Sequence, residues 1–459
     1  MRIVIVGLGK IGRTLSIKLD QEGHSIYVLD KESTVLEAFV NKYDNIGGFV
    51  GEASDVKALM ECEVDKADVV IAATDADEMN ILCCLMAKQL GAKRTVARVR
   101  KPEYVLNTEF FIRNLHIDRI INPERALALE ISRTLRFRSV LSAESFAGGK
   151  LEIVRFKLPQ DCVLDGMLLS EVRSKYKAHI LVCAVIRDDV IHIPGGEYRL
   201  KGGDIVYLTA YPGEFTKFFK SIDKNRDILR SVAIIGGGKI SRYLAQVLSL
   251  TGRDITIIEK DEKHAEELTN YFIKEEQNVE VYTADGADPD QMEEVNLQAY
   301  DAMVALTDID EVNYMLSVYA QSIQMKKIIA KINNNTYARL LSEQEIGTVV
   351  STKDVVSDQI VAYVRALKNS ESSSKIEAIY SLVEDRLDAM EFVIEKDSEY
   401  VGKPLRDLKH KGKFLVIGIL HDGKVKIPNG NDFLNVGDHV IIVTTNVDVE
   451  SIDDIFVLE

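Results

Sequence analysis

The stretch IVIVGLGKIGRTLSIKL, residues 3 to 19, returns later in the same chain as VAIIGGGKISRYLAQVL, residues 232 to 248. Each copy joins a run of β-branched residues to a glycine-rich turn, followed by a segment with apolar residues at helical spacing. A strand, a glycine turn and a helix in this order open the Rossmann type of doubly wound α/β domain. The sequence therefore predicts a tandem duplication of such a domain.

The repeat continues beyond the glycine turn. A second apolar strand ends on an acid in both copies, Asp30 and Glu259, 23 positions after the first glycine. Further on, DVVIAATDADEMN (68–80) returns as DAMVALTDIDEVN (301–313), and the offset between the copies grows from 229 to 233. We expect four inserted residues near the loop after Asn278, because surface loops absorb insertions at little cost.

A smaller repeat follows each large one. HIPGGEYRLKGGDIVYLT (192–209) resembles KIPNGNDFLNVGDHVIIVT (426–444), and hairpin turns are predicted at residues 187–189 and 421–423. We interpret these parts as compact α+β modules with one short helix. The predicted fold class is α/β, with two Rossmann-like doubly wound parallel-sheet domains, each followed by a small α+β domain. The expected bounds are 1–138, 139–225, 226–368 and 369–459.

The composition is that of a folded globular protein. Hydrophobic residues make up 46% of the 459 residues and charged residues 28%, and this length implies several domains. With 72 acidic and 57 basic residues, the formal net charge is -15. A negative field repels phosphate backbones and anionic lipid heads. We therefore expect no nucleic-acid partner.

Cysteine usage and the apolar runs indicate the compartment. The five cysteines form no CxxC pair and no His/Cys cluster with zinc spacing, so we expect reduced thiols and no metal site. The residues after Met1 lack the pattern of a signal peptide. The longest apolar runs fall far short of the roughly 18 to 20 residues that cross a bilayer. We expect a cytoplasmic protein that reaches the membrane only through a partner.

The motif GLGKIG has the chemistry of a phosphate cradle. Gly7 permits the tight turn, Gly9 lets a pyrophosphate approach the backbone, and Gly12 lets the helix pack closely on the strand. The helix N-terminus then faces the phosphates. Asp30 can accept hydrogen bonds from ribose hydroxyls and would repel a 2′-phosphate. This combination favours NAD(H) or an adenine nucleotide over NADP(H).

The second copy departs from the motif at two positions. It reads GGGKIS, so that Ser241 replaces the third glycine, and its acid is Glu259. A serine packs closely, but less freely than glycine. We expect a second nucleotide site, whose ligand can differ from that of the first; the alternative is that the repeat survives there only as a scaffold.

Further candidates follow the later strands of the large repeat. Ala73 and Thr74 lie at the carboxyl end of the fourth strand, where open α/β sheets present ligand contacts, and the second copy repeats them. The residues at these positions in the second copy are Leu306 and Thr307. The acids at 75, 77 and 78 are interpreted either as ligand contacts or as a solvated helix cap.

A basic residue follows the next strand in each copy. Arg98 and its counterpart Lys331 could pair with phosphates or with an acid across an interface. A plain surface salt bridge is the alternative for both.

Catalysis is not predicted, because a dehydrogenase needs a proton donor near the nicotinamide. The candidate donors His24, His116 and His264 are not repeated between the copies.

The motifs GLGKIG, ATDADEMN and ARVR, with Asp30 and the whole pattern duplicated beside a small module, resemble the TrkA family of potassium-uptake regulators. The likeness covers nearly all of the chain. It implies tandem units that regulate potassium conductance (RCK units), each with a Rossmann N-lobe and a C-lobe. The contacts it implies in the first half are Gly7, Leu8, Gly9, Lys10, Ile11, Asp30, Ala73, Thr74 and Arg98. Those in the second half are Gly236, Gly237, Gly238, Lys239, Ile240, Glu259, Leu306, Thr307 and Lys331.

The resemblance also implies a biological role. It predicts a peripheral homotetramer, bound to NAD(H) or ATP/ADP and docked on a membrane potassium-translocating subunit of the TrkH or TrkG type. As a hypothesis, Lys10 and Arg98 sense terminal phosphates, and different nucleotides favour different ring shapes. Two rival functions remain open: an NAD-dependent oxidoreductase, and an RCK-type regulator of another cation channel or transporter.

Overall fold

The computed structural model describes most of the chain. The described residues are all except 103, 105–106, 147–149, 161, 177–178, 223–228, 372–375, 384–385, 395–399, 409–411, 446–448, 450–451 and 457–459. Within this part of the chain, no helix is both long and apolar enough to span a bilayer.

The first parallel sheet has six strands in the order β3-β2-β1-β4-β5-β6, the strand order of a Rossmann domain. Strand β4 is buried along its whole length and β1 is buried in all but its first residue, because helices cover both faces of such a sheet. The strands are β1 (Arg2–Val6), β2 (Ser25–Asp30), β3 (Ile46–Val50), β4 (Val69–Ala72), β5 (Arg94–Arg98) and β6 (Arg119–Ile121). The helices are α1 (Lys10–Gln21), α2 (Ser33–Val40), α3 (Val56–Glu61), α4 (Asp77–Leu90), α5 (Thr108–Leu115) and α6 (Pro123–Thr134).

The first antiparallel sheet follows in the order β10-β9-β11-β8-β7. The predicted hairpin is confirmed, because the first two of these strands pair across residues 188 and 189. The strands are β7 (Val140–Phe146), β8 (Leu151–Lys157), β9 (Ile180–Arg187), β10 (Val190–His192) and β11 (Ile205–Ala210). Two helices accompany them, α7 (Leu169–Tyr176) and α8 (Pro212–Ile222), so the prediction of one short helix was wrong here.

The second parallel sheet repeats the first in the order β14-β13-β12-β15-β16-β17. Its strands are β12 (Ser231–Ile235), β13 (Asp254–Glu259), β14 (Val279–Thr283), β15 (Ala302–Ala305), β16 (Lys327–Lys331) and β17 (Thr348–Val350). Its helices are α9 (Lys239–Ser249), α10 (Glu262–Lys274), α11 (Pro289–Glu294), α12 (Asp310–Ser322), α13 (Asn335–Glu343) and α14 (Thr352–Glu371). The predicted fold class, with two Rossmann-like sheets, is confirmed.

The length difference between the copies lies in a helix. Helix α10 has 13 residues, whereas its counterpart α2 has 8. Strand β14, which follows α10, is already displaced by the full offset relative to β3. The extra residues therefore lengthen the segment before Asn278, and the expectation of an insertion in the loop after it is wrong.

The second antiparallel sheet has the order β18-β19-β22-β20-β21. Its strands are β18 (Ile376–Val383), β19 (Leu387–Val393), β20 (Phe414–His421), β21 (Lys424–Lys426) and β22 (His439–Thr444). The hairpin predicted at residues 421–423 joins β20 to β21. Among the described residues of this module, the helical turns are the short 3-10 segments Leu405–Asp407 and Ile452–Asp454, not the predicted α-helix.

The chain divides into two compact units that each draw on both halves. One unit contains Met1–Ser132 and Arg230–Val361, and the other contains Arg133–Leu229 and Ala362–Glu459. The two parallel sheets thus belong to one unit and the two small sheets to the other. The four domain bounds expected from the sequence stay a prediction.

An apolar cluster joins the two small sheets within their unit. It contains buried residues from both small modules, among them Phe146 and Tyr207 of the first and Ile417 and Ile441 of the second. Tyr207 also donates its hydroxyl to the Leu382 carbonyl oxygen at 3.1 Å. Since apolar burial is roughly proportional in free energy to the area removed from water, each small sheet is stabilised by the other.

The turn between β1 and α1 depends on two of its glycines. Gly7 has a φ of 99°, a left-handed conformation that side chains rarely adopt. A Cβ atom at Gly12 would lie 1.9 Å from the Gly7 carbonyl oxygen. Ser241 stands at this position in the second copy, where its buried hydroxyl donates to the Gly236 carbonyl oxygen. The serine therefore supports the second turn from within.

We expect Gly12→Ala to destabilise the first parallel sheet by about 1–3 kcal/mol, because a backbone oxygen cannot move away as a side chain can. Hydrogen exchange of the β1 amides during urea titration measures this. Gly9→Ala is the matched control, since a Cβ there meets nothing within 4 Å. Equal protection of β1 in the two variants would show that the close approach at Gly12 is unimportant.

Candidate nucleotide-binding sites

Helix α1 points its N-terminus into the glycine turn. Gly9 is the N-cap residue, and its carbonyl oxygen accepts from the Arg13 amide at 3.0 Å. The first amides of a helix have no partner within the helix and carry a partial positive charge. They can therefore bind an anion such as a phosphate.

The carboxylate of Asp30 holds the turn from the end of β2. Its Oδ2 atom accepts from the Leu8 amide at 2.6 Å and its Oδ1 atom from the Glu32 amide at 2.9 Å. A carboxylate has about four lone-pair sites, so both oxygens can still accept from ribose hydroxyls. The acid thus fixes the turn and faces the same cleft.

A buried amide connects the ends of β4 and β5. The Oδ1 atom of Asn80 accepts from the Thr74 amide at 2.8 Å and from its hydroxyl at 2.7 Å. The Nδ2 atom of Asn80 donates to the carbonyl oxygens of Thr74 at 3.0 Å and Arg98 at 2.9 Å. This one side chain sets the spacing of two predicted site residues.

The Arg98 side chain lies along the same edge of the sheet. Its Nη1 atom donates to the Thr74 carbonyl oxygen at 3.1 Å and lies 3.6 Å from a carboxylate oxygen of the exposed Asp75. Its Nε atom is buried and has no partner among the described residues. Burial, with the nearby Arg100, lowers the pKa of this guanidinium. Such a cation would gain from an anionic ligand.

The second copy repeats the hydrogen bonds of the acid and of the buried amide. Glu259 accepts from the Gly237 amide at 2.7 Å and the Asp261 amide at 2.9 Å. Asn313 accepts from the Thr307 amide at 3.0 Å and donates to the carbonyl oxygens of Thr307 at 3.0 Å and Lys331 at 2.9 Å. The second turn therefore keeps these hydrogen bonds although Ser241 replaces the third glycine.

Family models of two domains match this chain, each of them twice. The TrkA-N domain matches residues 3–123 and 232–352, and the TrkA-C domain matches residues 153–223 and 389–457. The chain belongs to the TrkA family. The resemblance read from the glycine turns is thereby confirmed.

Relatives of similar length carry the same family name. A Trk system potassium uptake protein TrkA homolog of Archaeoglobus fulgidus is 26% identical, over 99% of this chain and 100% of its own length. The Trk system potassium uptake protein TrkA of Vibrio alginolyticus is 28% identical, over 97% of this chain and 96% of its own.

Solved structures share the fold. The GsuK RCK domain matches with a TM-score of 0.62 and 18% identity, over 97% of this chain and 92% of that one. A GsuK channel bound to NAD matches with a TM-score of 0.63 and 17% identity, over 97% of this chain and 76% of that one. At these identities the likeness concerns the fold alone.

The two sites of this TrkA-family chain differ beside the acid. Leu8 is replaced by Gly237, where a Cβ atom would lie 2.6 Å from a Leu268 methyl carbon and 2.7 Å from the Glu259 carboxylate. The longer acid therefore fits because the residue it faces has no side chain. His264 also reaches this turn, with its Nε2 atom 3.0 Å from the Gly237 carbonyl oxygen. His264 therefore contacts the second turn directly.

The basic residues keep their acidic neighbours in both copies. The Lys331 ammonium lies 3.2 Å from Asp308, as Arg98 lies beside Asp75. In both pairs the base is largely buried and the acid is exposed. The exposed acid can thus move away into water and leave the base to a ligand. This arrangement is compatible with both alternatives for Arg98 and Lys331, an ion pair and a phosphate contact.

Several important residues were missed or misread in the sequence. Asp77 is buried, and its Oδ2 atom accepts from the Arg100 and Lys101 amides at 2.8 and 2.7 Å. It ties α4 to the segment after β5 and is therefore neither a ligand contact nor a solvated cap. The signal was present, because Asp77 and Asn80 are both repeated in the second copy.

Glu124, at the start of α6, was missed entirely. Its Oε2 atom is buried without a partner in the described part of the chain. Burial raises the pKa of this carboxyl, and the charges of Arg98 and of Lys239 at the second helix N-terminus oppose that rise. Glu124 is thus close enough to feel the charge of one basic residue from each candidate site. Its counterpart in the second copy is Lys353, so the repeat gave no signal.

The remaining predicted residues occupy the expected elements. Ile11 and Ile240 are buried, so only their backbones can face a ligand. Lys10 and Lys239 are the exposed first residues of α1 and α9. Ala73 and Leu306 are buried directly after β4 and β15. No group of three or more His, Cys, Asp or Glu side chains suited to a metal ion occurs among the residues described.

We expect Asn80→Ala to loosen the first site alone. The change leaves the Thr74 amide and the Arg98 carbonyl oxygen without their partner, at a cost of about 1–3 kcal/mol. Hydrogen exchange should show faster exchange at residues 73–75 and weaker protection by added NADH at the first turn. Asn313→Ala is the matched control, and it should affect only the second site. Equal effects on both sites in either variant would contradict separate networks.

Proposed function

We propose that this chain is a nucleotide-binding regulatory subunit that gates a Trk-type potassium uptake transporter. The observation that carries the proposal is the glycine turn with its carboxylate and its buried amide, built twice with the same hydrogen bonds. The names of the full-length relatives support a role in potassium uptake. The GsuK channel structure bound to NAD supports this fold as a nucleotide-binding one.

The proposed ligands are NAD(H) and ATP or ADP. Phosphates would lie over the N-termini of α1 and α9, and ribose hydroxyls would donate to Asp30 or Glu259. These carboxylates disfavour NADP(H), because a 2′-phosphate would meet a like charge. Lys10 and Arg98 in the first site are the candidates for sensing terminal phosphates. Lys239 and Lys331 are their counterparts in the second site.

The proposed mechanism is a population shift. Nucleotides that bind adjoining domains differently would favour different shapes of an oligomer, here a homotetramer, and this would act on the pore. The proposed partner is a membrane potassium-translocating subunit of the TrkH or TrkG type. The chain would be cytoplasmic and peripheral, held at the inner face of the membrane by that partner.

We further propose that the chain is not an enzyme. His24 is buried beside Glu22 and the N-terminus, and His264 hydrogen-bonds the second turn. Neither histidine occurs at the same position in both copies, whereas the hydrogen bonds of the acid and of the buried amide occur in both. The oxidoreductase alternative predicts that bound NADH is consumed when carbonyl substrates are added. The remaining alternative, regulation of another cation channel, shares the nucleotide chemistry and differs only in the partner.

Asp30→Ala should weaken NADH and ATP binding to the first site about tenfold or more, because hydrogen bonds to a carboxylate are lost. Asp30→Asn should relax the discrimination against NADPH, because it removes the charge that repels a 2′-phosphate. Calorimetric titration measures both, and Glu259→Ala provides the matched change in the second site. Unchanged affinities in the Asp30 variants would refute the ribose contact.

The role in transport can be tested with the membrane partner. We expect the full chain to copurify with a TrkH-type subunit, and nucleotide to change potassium flux in vesicles that contain both proteins. The double variant Asp30→Ala and Glu259→Ala should copurify yet lose the nucleotide response. Flux that is the same with and without the chain would rule out the proposed regulation.

A further inference from the structure

The first small module closes its hairpin with an ion pair. Arg187, at the end of β9, donates from Nε and Nη2 to the two carboxylate oxygens of Asp204, at 2.8 and 2.7 Å. Asp204 is buried and also accepts from the Lys201 amide at 2.8 Å. Because a guanidinium does not deprotonate in proteins, this closure is independent of pH near neutrality.

The second small module closes the same hairpin with a titratable pair. His421, at the end of β20, occupies the position of Arg187, and Asp438 occupies that of Asp204. The Nδ1 atom of His421 lies 2.5 Å from an oxygen of Asp438, which is buried and accepts from the Asn435 amide at 2.8 Å. Thus the two modules share one buried acid and differ in its cationic partner.

Each hairpin also contacts the other small module within the same unit. The Lys150 ammonium, in the turn after β7, donates to the Gly423 carbonyl oxygen, and the Tyr211 hydroxyl donates to that of Val425 at 2.9 Å. In the reciprocal contact, Arg386 in the turn after β18 lies 2.9 Å from Asp189. The contacted residues Gly423 and Val425 follow His421 closely, and Asp189 follows Arg187. Each closing pair therefore supports a contact between the modules.

We propose that the pair His421–Asp438 makes the contact of the β20–β21 hairpin with the first small module sensitive to pH. The protonated imidazole neutralises a buried carboxylate and holds the base of the hairpin in place. The neutral imidazole retains one hydrogen bond but leaves that charge uncompensated, which is costly in a buried position. The hairpin then loosens, and its bonds to Lys150 and Tyr211 weaken. The reciprocal contact between Arg386 and Asp189 does not change with pH, because Arg187 closes that hairpin.

The charges around His421 favour protonation. The hydrogen bond and charge of Asp438 raise the pKa of His421 above its ordinary value of 6.5, and Asp422, 3.6 Å from Nε2, raises it further. A histidine whose folded-state pKa is raised stabilises the fold fully below the unfolded-state pKa. This stabilisation is lost as pH rises through the folded-state pKa, so the contact should weaken from about pH 6.5 upwards.

Hydrogen exchange of the full chain at several pH values tests this proposal. Corrected for the intrinsic exchange rate, protection of the Lys424–Lys426 amides should fall about threefold or more between pH 6 and pH 8, because the exposed imidazole loses its charge in this range. Protection of the Val190–His192 amides in the first module should stay constant. His421→Arg, which copies the first module, should abolish the fall, and Arg187→His should create one at Val190–His192.

Two results would overturn the proposal. One is constant protection of Lys424–Lys426 in the unaltered chain, and the other is a fall that persists in His421→Arg. If that variant does not fold, the nuclear magnetic resonance titration of the His421 ring in the unaltered chain decides. A pKa at or below 6.5 would overturn the proposal, and a pKa above it would support the proposal.

Discussion

The geometry of both candidate nucleotide sites depends on a carboxylate at the end of a strand, which accepts hydrogen bonds from backbone amides of a glycine turn. In the first copy, Asp30 joins the end of β2 to the residue after Gly7, and Glu259 does so in the second. This bond fixes where α1 and α9 begin, and hence where their N-terminal amides point. It also leaves acceptor capacity at the mouth of the cleft. One interaction thus sets both the geometry of the turn and the chemistry offered to a ligand.

Local patterns predicted the fold well. The glycine turn, the acid 23 positions later and the alternation of strands and helices predict two Rossmann sheets. These three features can be recognised because each is formed by residues that are near one another in sequence. The Asn80 network was not predicted, since its partner Arg98 lies on the next strand and only the folded sheet brings them together. Glu124 could not be found for the same reason. The prediction of one short helix in each small module was wrong. The short strands on either side of the helical segments dominate the sequence pattern there.

The two copies form the same hydrogen bonds around the acid and the buried amide, yet they differ in individual side chains. Gly237 accompanies Glu259, and Ser241 supports its turn with a hydroxyl. In the small modules, His421 stands where the first copy has Arg187. In a symmetric dimer of identical chains, every such change would occur twice. Duplication within one polypeptide lets one copy change while the other keeps its chemistry.

The chain passes from one compact unit to the other after Ser132, Leu229 and Val361. Each unit is therefore assembled from two separate stretches, and the small sheets share an apolar cluster that neither half supplies alone. A polypeptide with only one half would leave that face open to water, and it would have to recruit a second molecule of itself to cover it. Tandem fusion makes this pairing independent of protein concentration.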